Sequence, residues 1–209
     1  MREKSRNISE QEKEALRFLE SDFNQCFHQM RHYDSQIFDI LKFMFTGYTA
    51  LIGVALGFYK FGVKKGIDFS LPISAALSVG LMLGLFMFIL AVRNRVYFVQ
   101  VARYINEQRS LFLRYKPLGF NNKSKMYIDH LQPPFFNWRS SQFWFMCIIA
   151  SLNSTLSGVL LFILLSSYHR WKIALIGFLI LYSIQLIFAV LYLKSRESKS
   201  ASKAVFGEE

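Results

Sequence analysis

Four long runs of apolar residues dominate the chain, at residues 43–59, 69–92, 143–165 and 173–193. A helix crosses the roughly 30 Å hydrocarbon core of a bilayer with about 20 apolar residues. Helices that surround a soluble core carry a polar face, whereas the second and fourth runs contain no charged residue. The pattern therefore predicts an all-α integral membrane protein with four transmembrane helices.

The residues before the first run predict one long helix. Ser9 followed by Glu12 is typical of a capping box, and no glycine or proline follows until Gly47. Apolar residues then recur at every third and fourth position, which is the pattern of a heptad seam. The seam consists of Leu16, Leu19, Phe23, Cys26, Met30, Tyr33, Ile37, Ile40 and Met44. A helix with such a seam needs a partner helix.

Residues 93–116 are the expected partner, because they extend the second run without glycine or proline. The first two runs form a hairpin, so their extensions should lie antiparallel over about 35 Å. Opposite charges then fall level at both ends, with Asp22 near Lys116 and Asp39 near Arg95. The sequence predicts a long antiparallel helical hairpin that extends the first two spans.

Small residues mark where the spans should pack. Gly53 and Gly57 in the first span, and Gly80 and Gly84 in the second, are each four residues apart, which lets helix backbones approach closely in lipid. In an antiparallel pair both motifs fall near the middle of the membrane. They are predicted to be the helix-packing residues of the first hairpin, and the fourth span, rich in Leu and Ile, is predicted to face lipid.

Lysine and arginine are distributed unevenly around the spans, and this predicts the orientation. Twenty of the 25 lie in residues 1–42, 93–141 and 194–209, and five lie in the two short loops. Positive loops stay on the cytoplasmic side. The expected location is the inner (plasma) membrane, multi-pass, with both termini cytoplasmic and no cleaved signal. The predicted parts are a cytoplasmic helix (1–42), transmembrane hairpin 1 (43–92), a cytoplasmic helix with an interfacial loop (93–142), transmembrane hairpin 2 (143–193) and a cytoplasmic tail (194–209).

The composition adds no sign of catalytic chemistry. With 53% hydrophobic and 17% aromatic residues, the chain is too apolar for an ordinary soluble domain. His28 and His32 have a spacing that could hold a metal, but they lack the pattern of a zinc site and are expected to be solvated. Cys26 and Cys147 are expected to be buried, without a disulfide. No catalytic residue, metal site or cofactor is predicted, and the protein is not expected to be an enzyme.

The spans contain polar residues but no charged residue, which disfavours proton- or ion-coupled transport. The third span carries Asn153, Ser154, Thr155 and Ser157, and the fourth carries Gln185. Such groups usually form hydrogen bonds between helices. If several subunits gather around the third span, Asn153 and Ser157 are the candidate pore-lining residues.

The segment 93–141 carries a net charge of about +7 from its Lys, Arg, Asp and Glu. Its aromatic end, which includes Phe135 and Trp138, is typical of a membrane interface. Anionic lipid headgroups are therefore the expected partners. Nucleic acid is unlikely as a partner, because the chain has no glycine-rich phosphate loop and no recognition module.

The layout resembles the SLATT-type membrane effector modules of bacterial conflict and defence systems. The resemblance covers about residues 9–116 and rests on a Glu-rich leading helix, a two-span hairpin and the long helix AVRNRVYFVQVARYINEQRSLF. It implies a toxic, oligomeric membrane effector that perturbs the membrane when a cytoplasmic sensor signals. No site residue is implied.

Three functions are consistent with these patterns. The first is a homo-oligomeric membrane effector or channel-like protein that perturbs membrane integrity in bacterial defence or stress and is triggered through its cytoplasmic helices. The alternative is a membrane anchor or scaffold that recruits a soluble cytoplasmic protein to the inner face. A small-solute transporter is disfavoured by the missing intramembrane charges.

Overall fold

A computed structural model describes residues 9–114, 122–125, 127–165 and 168–197. The described residues form four helices and no strand. They are α1 (Glu10–Lys65), α2 (Ser70–Arg114), α3 (Ser141–Leu164) and α4 (Arg170–Glu197). The all-α prediction is confirmed.

Each of the four helices is long and apolar enough to cross a membrane by length and composition. Large apolar side chains remain exposed along them, among them Val79, Phe86, Ile180 and Ile184. In α4 only Ala174, Gln185, Ala189 and Leu193 are buried. An exposed apolar surface of this extent is unfavourable in water and suits contact with lipid or with other protein.

The helix ends follow the local chemistry of the sequence. The predicted capping box is present: Ser9 N donates to Glu12 Oε2 at 2.8 Å, and Glu12 N donates to Ser9 Oγ at 3.2 Å. Gly66, with a φ of +71°, ends α1 in the left-handed region that favours glycine. Asp68 accepts from Ser70 N at the start of α2, and hydrogen bonds from Ser70 lower the pKa of its carboxyl.

The chain divides into two compact units, and α1 and α2 each contribute to both. Unit 1 comprises residues 1–33 and 97–134, and unit 2 comprises residues 34–96 and 135–209. Buried apolar residues of unit 1 include Val99, Ala102 and Ile105. Those of unit 2 include Met44, Leu77, Phe88, Met146, Ile149, Leu156 and Leu193. The membrane boundaries assigned from the sequence stay predictions.

Candidate functional site

A polar cluster lies inside unit 2 and draws on all four helices. We define the central polar cluster as Tyr48 of α1, the Gly84 carbonyl of α2, Asn153 and Ser154 of α3, and Gln185 of α4. Asn153 and Ser154 are fully buried, and Tyr48 and Gln185 are nearly so. A buried polar group without a partner is costly, especially in an apolar surrounding, so the pairing of these groups decides what the cluster can do.

Asn153 is the hub of this cluster. Its Nδ2 donates to Gly84 O at 3.0 Å and to Gln185 Oε1 at 2.8 Å. Its Oδ1 accepts from the Tyr48 hydroxyl at 2.8 Å. Both amide hydrogens and the carbonyl are used, so one side chain connects the other three helices to α3.

The remaining groups of the cluster are paired as well. Gln185 Nε2 donates to Leu181 O at 3.2 Å and has Ser154 Oγ and Ala150 O at 3.4 Å. Ser154 Oγ donates to Ala150 O at 2.7 Å. The cluster is neutral and hydrogen-bonded, which suits it to fixing the register of the helices rather than to binding an ion.

This geometry corrects the pore-lining prediction for Asn153. The sequence offered Asn153 as a pore-lining residue if several subunits gather around the third span, but the structure buries it inside a single chain with every side-chain polar atom paired. The reason is that Tyr48 and Gln185 reach the same level from other helices, which local sequence does not reveal. Ser157, one turn further along α3, is half-buried, and its role as a lining residue stays a prediction.

Asn153→Leu should destabilise the folded protein by about 2–4 kcal/mol. Leucine has similar bulk, but it takes away the donor to Gln185 Oε1, the bond to Gly84 O and the acceptor of the Tyr48 hydroxyl, at about 1–3 kcal/mol for a buried group that is left unpaired. Ser157→Ala is the control, with an expected change within about 0.5 kcal/mol. Denaturant titration of the purified protein in detergent measures both; equal stability of the two variants would show that the cluster contributes nothing.

The glycines of the second span permit the close approach that the sequence predicted. A Cβ built at Gly84 would overlap the Tyr48 hydroxyl and Asn153 Oδ1. At Gly80 it would lie 2.5 Å from Leu51 Cδ2 and 3.3 Å from Leu156 Cδ2. Gly84 needs glycine, because Tyr48 of α1 and Asn153 of α3 occupy the space where a Cβ would stand, whereas at Gly80 the ends of two leucine side chains would have to shift.

The glycines of the first span lie elsewhere, and the structure does not bring the two motifs together. Gly53 and Gly57 are exposed, and an added Cβ at either would have nothing within 4 Å. The buried residues of this span, such as Met44, Tyr48 and Ala55, lie on other faces of α1. The predicted contact between the two motifs is therefore wrong within one chain.

In unit 1, residues of the predicted seam on α1 contact aromatic side chains of α2. Phe23 lies edge-on to Phe112 with ring centroids 6.4 Å apart, and Tyr33 stacks on Tyr97 at 5.8 Å. Leu16, Leu19 and Met30 are half-buried in this unit, and Ile37 is fully buried in unit 2.

A carboxylate beside the seam is hydrogen-bonded to two polar side chains of α2. Asp22 accepts from the Tyr104 hydroxyl at 2.8 Å and from Gln108 Nε2 at 2.6 Å. Lys116, its predicted neighbour, lies outside the described residues.

Burial raises the pKa of Tyr104, and the hydrogen bond to Asp22 raises it further. Burial, with a smaller contribution from Asp22, also raises the pKa of Cys26.

One basic residue of the segment that is predicted to meet lipid headgroups, Arg103, fastens a loop to α2. In unit 1, Arg103 is only 7% exposed and its Nε donates to Pro133 O at 3.0 Å. Asn106 Nδ2 donates to Asp129 O at 3.1 Å and Gln132 O at 2.8 Å. These side chains hold the loop that leads to α3, a role that the charge count did not suggest.

A second buried network lies in unit 2, around Arg95, and we call it the Arg95 collar. Arg95 is 4% exposed; its Nε donates to Phe135 O at 3.1 Å and its Nη1 to Gln142 Oε1 at 3.2 Å. Gln142 Nε2 donates to Asp34 Oδ1 at 3.2 Å. Phe135 N donates to Glu197 Oε2 at 2.8 Å. The collar thus connects all four helices and the residue that follows the loop.

Within the described part of the chain, no three His, Cys, Asp or Glu side chains lie together so that they could hold a metal ion. His28 and His32 are both exposed on α1. Cys26 and Cys147 are free and buried, as predicted. A cavity of about 270 Å³ between α1 and α2 is lined almost entirely by apolar groups, including Phe43, Leu51 and Val79.

Comparison with protein-family models, with curated proteins and with solved structures finds no match to this chain.

Proposed function

We propose that the protein is a multi-pass inner-membrane protein that acts as a homo-oligomeric effector. Its four apolar helices span the membrane, with both termini and the extensions of α1 and α2 in the cytoplasm, where those extensions form an antiparallel hairpin. On a signal received there, the assembled copies perturb membrane integrity in bacterial defence or stress. The charge-biased loops and the four span-length helices support this placement.

The observation that carries the oligomer is the outward direction of Gly53 and Gly57. Glycine inside a helix costs about 1 kcal/mol relative to alanine, and no neighbouring group of the described residues lies within 4 Å of a Cβ added at either position. Thr46 and Thr49 are exposed on the same face, as 3.6 residues per turn place them. Small residues and hydroxyls on a lipid-facing surface are what helices use to associate in membranes. A second copy of α1, inserted in the same orientation, fits this face.

The path by which ions cross the membrane would lie between copies of the protein and not through a single chain. The interior of a single chain is filled by the central polar cluster, whose groups are neutral and paired. Conduction through it would require breaking these hydrogen bonds. Movement of the copies against one another requires no such loss, because the faces concerned are exposed in the single chain.

The length of α1 supports the cytoplasmic trigger. The helix runs unbroken over 56 residues, from Glu10, ahead of the seam, to Lys65, just beyond the first span. A continuous helix transmits a displacement or rotation of one end to the other, whereas a loop would absorb it. A partner that alters the cytoplasmic hairpin would therefore act directly on the first span.

The second candidate, a scaffold for a soluble protein, is favoured by one side chain. Phe18 lies on the cytoplasmic part of α1 and is 70% exposed. An aromatic ring that projects into water at this distance from the spans suits a docking contact. Under this function Phe18→Ala would abolish the capture of a stoichiometric partner.

Membrane potential tests the proposal against this alternative. Cells that produce the intact protein at increasing levels are monitored with a potential-sensitive dye, with uninduced cells and an ionophore as references. Depolarisation that rises with protein level supports the effector. An intact potential at every level, together with a co-purifying partner that Phe18→Ala releases, would replace it by the scaffold.

A further inference from the structure

Phe135 is held on both sides of its backbone, which is unusual for a residue outside a helix. Its carbonyl accepts from Arg95 of α2 and its N–H donates to Glu197 at the end of α4. Its ring is 1% exposed. Bonds to charged groups are shorter and stronger than neutral ones, so Phe135 is firmly fixed.

Arg95 is also linked to α1, through the side-chain amide of Gln142. Gln142, in the first turn of α3, accepts from Arg95 with its oxygen and donates to Asp34 with its nitrogen. The amide is nearly fully buried, and its orientation is set because only one orientation serves both neighbours. The position of α3 thus depends on Arg95 and on Asp34 together.

The collar differs from the central polar cluster in how easily it opens. The cluster is buried throughout, but the two carboxylates at the ends of the collar, Asp34 and Glu197, belong to exposed residues. Water or a competing group can reach those ends without unfolding the helices. Phe135 is also the first residue of unit 2 after the loop that Arg103 fastens in unit 1. A displacement of this loop is therefore transmitted to Phe135 through the backbone.

We infer that the Arg95 collar is a latch, which holds Phe135 and the following residues to α2 and to the end of α4 at rest and releases them when the effector is activated. The inference rests on the proposed function and adds its regulation. Breaking the Phe135–Glu197 bond weakens the latch from its exposed end, while the central polar cluster keeps the spans together.

Glu197 offers a matched pair of variants. Glu197→Ala removes the acceptor for Phe135 N, and Glu197→Gln keeps an oxygen in the same place. Tryptic cleavage after Arg139, which is exposed in the released segment, is followed by mass spectrometry in inverted membrane vesicles. We expect cleavage about tenfold faster in Glu197→Ala, the factor that corresponds to one lost hydrogen bond to a charged group. Glu197→Gln should stay within about threefold of the native rate.

The same variants are scored for membrane potential in cells at matched protein levels. Faster cleavage with stronger depolarisation in Glu197→Ala supports the latch. Unchanged cleavage overturns it, and so does faster cleavage without added depolarisation while the native protein itself depolarises the cells. Failure of the proposed function has a different signature, because the potential then stays intact for the native protein and for every variant. Arg95→Lys removes the guanidinium that binds both Phe135 O and Gln142 Oε1. The same two measurements on this variant test the latch at its buried residue.

Discussion

Gly84→Leu should prevent unit 2 from folding. The Cβ alone would overlap the Tyr48 hydroxyl and the Asn153 amide oxygen, and leucine adds three further carbons in the same place. Overpacking usually costs about 1–3 kcal/mol, and the cost here is larger because the obstructing groups are buried and tied by hydrogen bonds. The helices of unit 2 would separate, and the central polar cluster would lose its hub.

The measurement is the monodisperse fraction and the thermal midpoint of the protein purified in detergent. Gly84→Leu should give little monodisperse protein, and the milder Gly84→Ala should lower the midpoint. Tyr48→Phe removes the hydroxyl that the new methyl meets, so Tyr48→Phe with Gly84→Ala should recover part of the loss. Gly53→Leu is the control for inserting leucine at a glycine. If Gly84→Leu is as stable as Gly53→Leu, the close approach at Gly84 is not present in the folded protein.

The elements of the fold could be predicted from the sequence because their causes are local. The apolar runs indicate where the four helices lie, and the capping box at Ser9 marks the start of α1. The direction in which a glycine motif faces is not contained in its spacing. A signal did exist, since the seam through Ile37 and Met44 continues to Leu51, seven residues further, and so places Gly53 on a different face.

The networks around Asn153 and Arg95 could not be predicted, because their partners are distant in sequence. Tyr48 and Asn153 are 105 residues apart, and Arg95 and Gln142 are 47 apart. A polar residue in an apolar run shows that a partner is needed but not which one. The count of positive charges likewise assigned Arg95 and Arg103 to the membrane surface, whereas both are buried against backbone carbonyls.

Replacing Gly53 and Gly57 together by leucine should dissociate the oligomer and leave each chain folded. Nothing lies within 4 Å of an added Cβ at either position, so the single chain has no contact to lose. Leucine is also the better helix former by up to about 1 kcal/mol per residue. Between two copies of α1, the same side chains would fill the space that lets the backbones approach.

Gly47→Leu is the matched control. Gly47 is also exposed with nothing within 4 Å, and it precedes Gly53 by six residues, which places it about 120° away around the helix. The number of copies per particle is counted by native mass spectrometry after reconstitution into nanodiscs, and membrane potential is recorded in cells. The double variant should be monomeric and should not depolarise, and Gly47→Leu should match the native protein in both. An oligomer that persists in the double variant would show that copies meet through another face, because the chain's own packing gives these two glycines no other role.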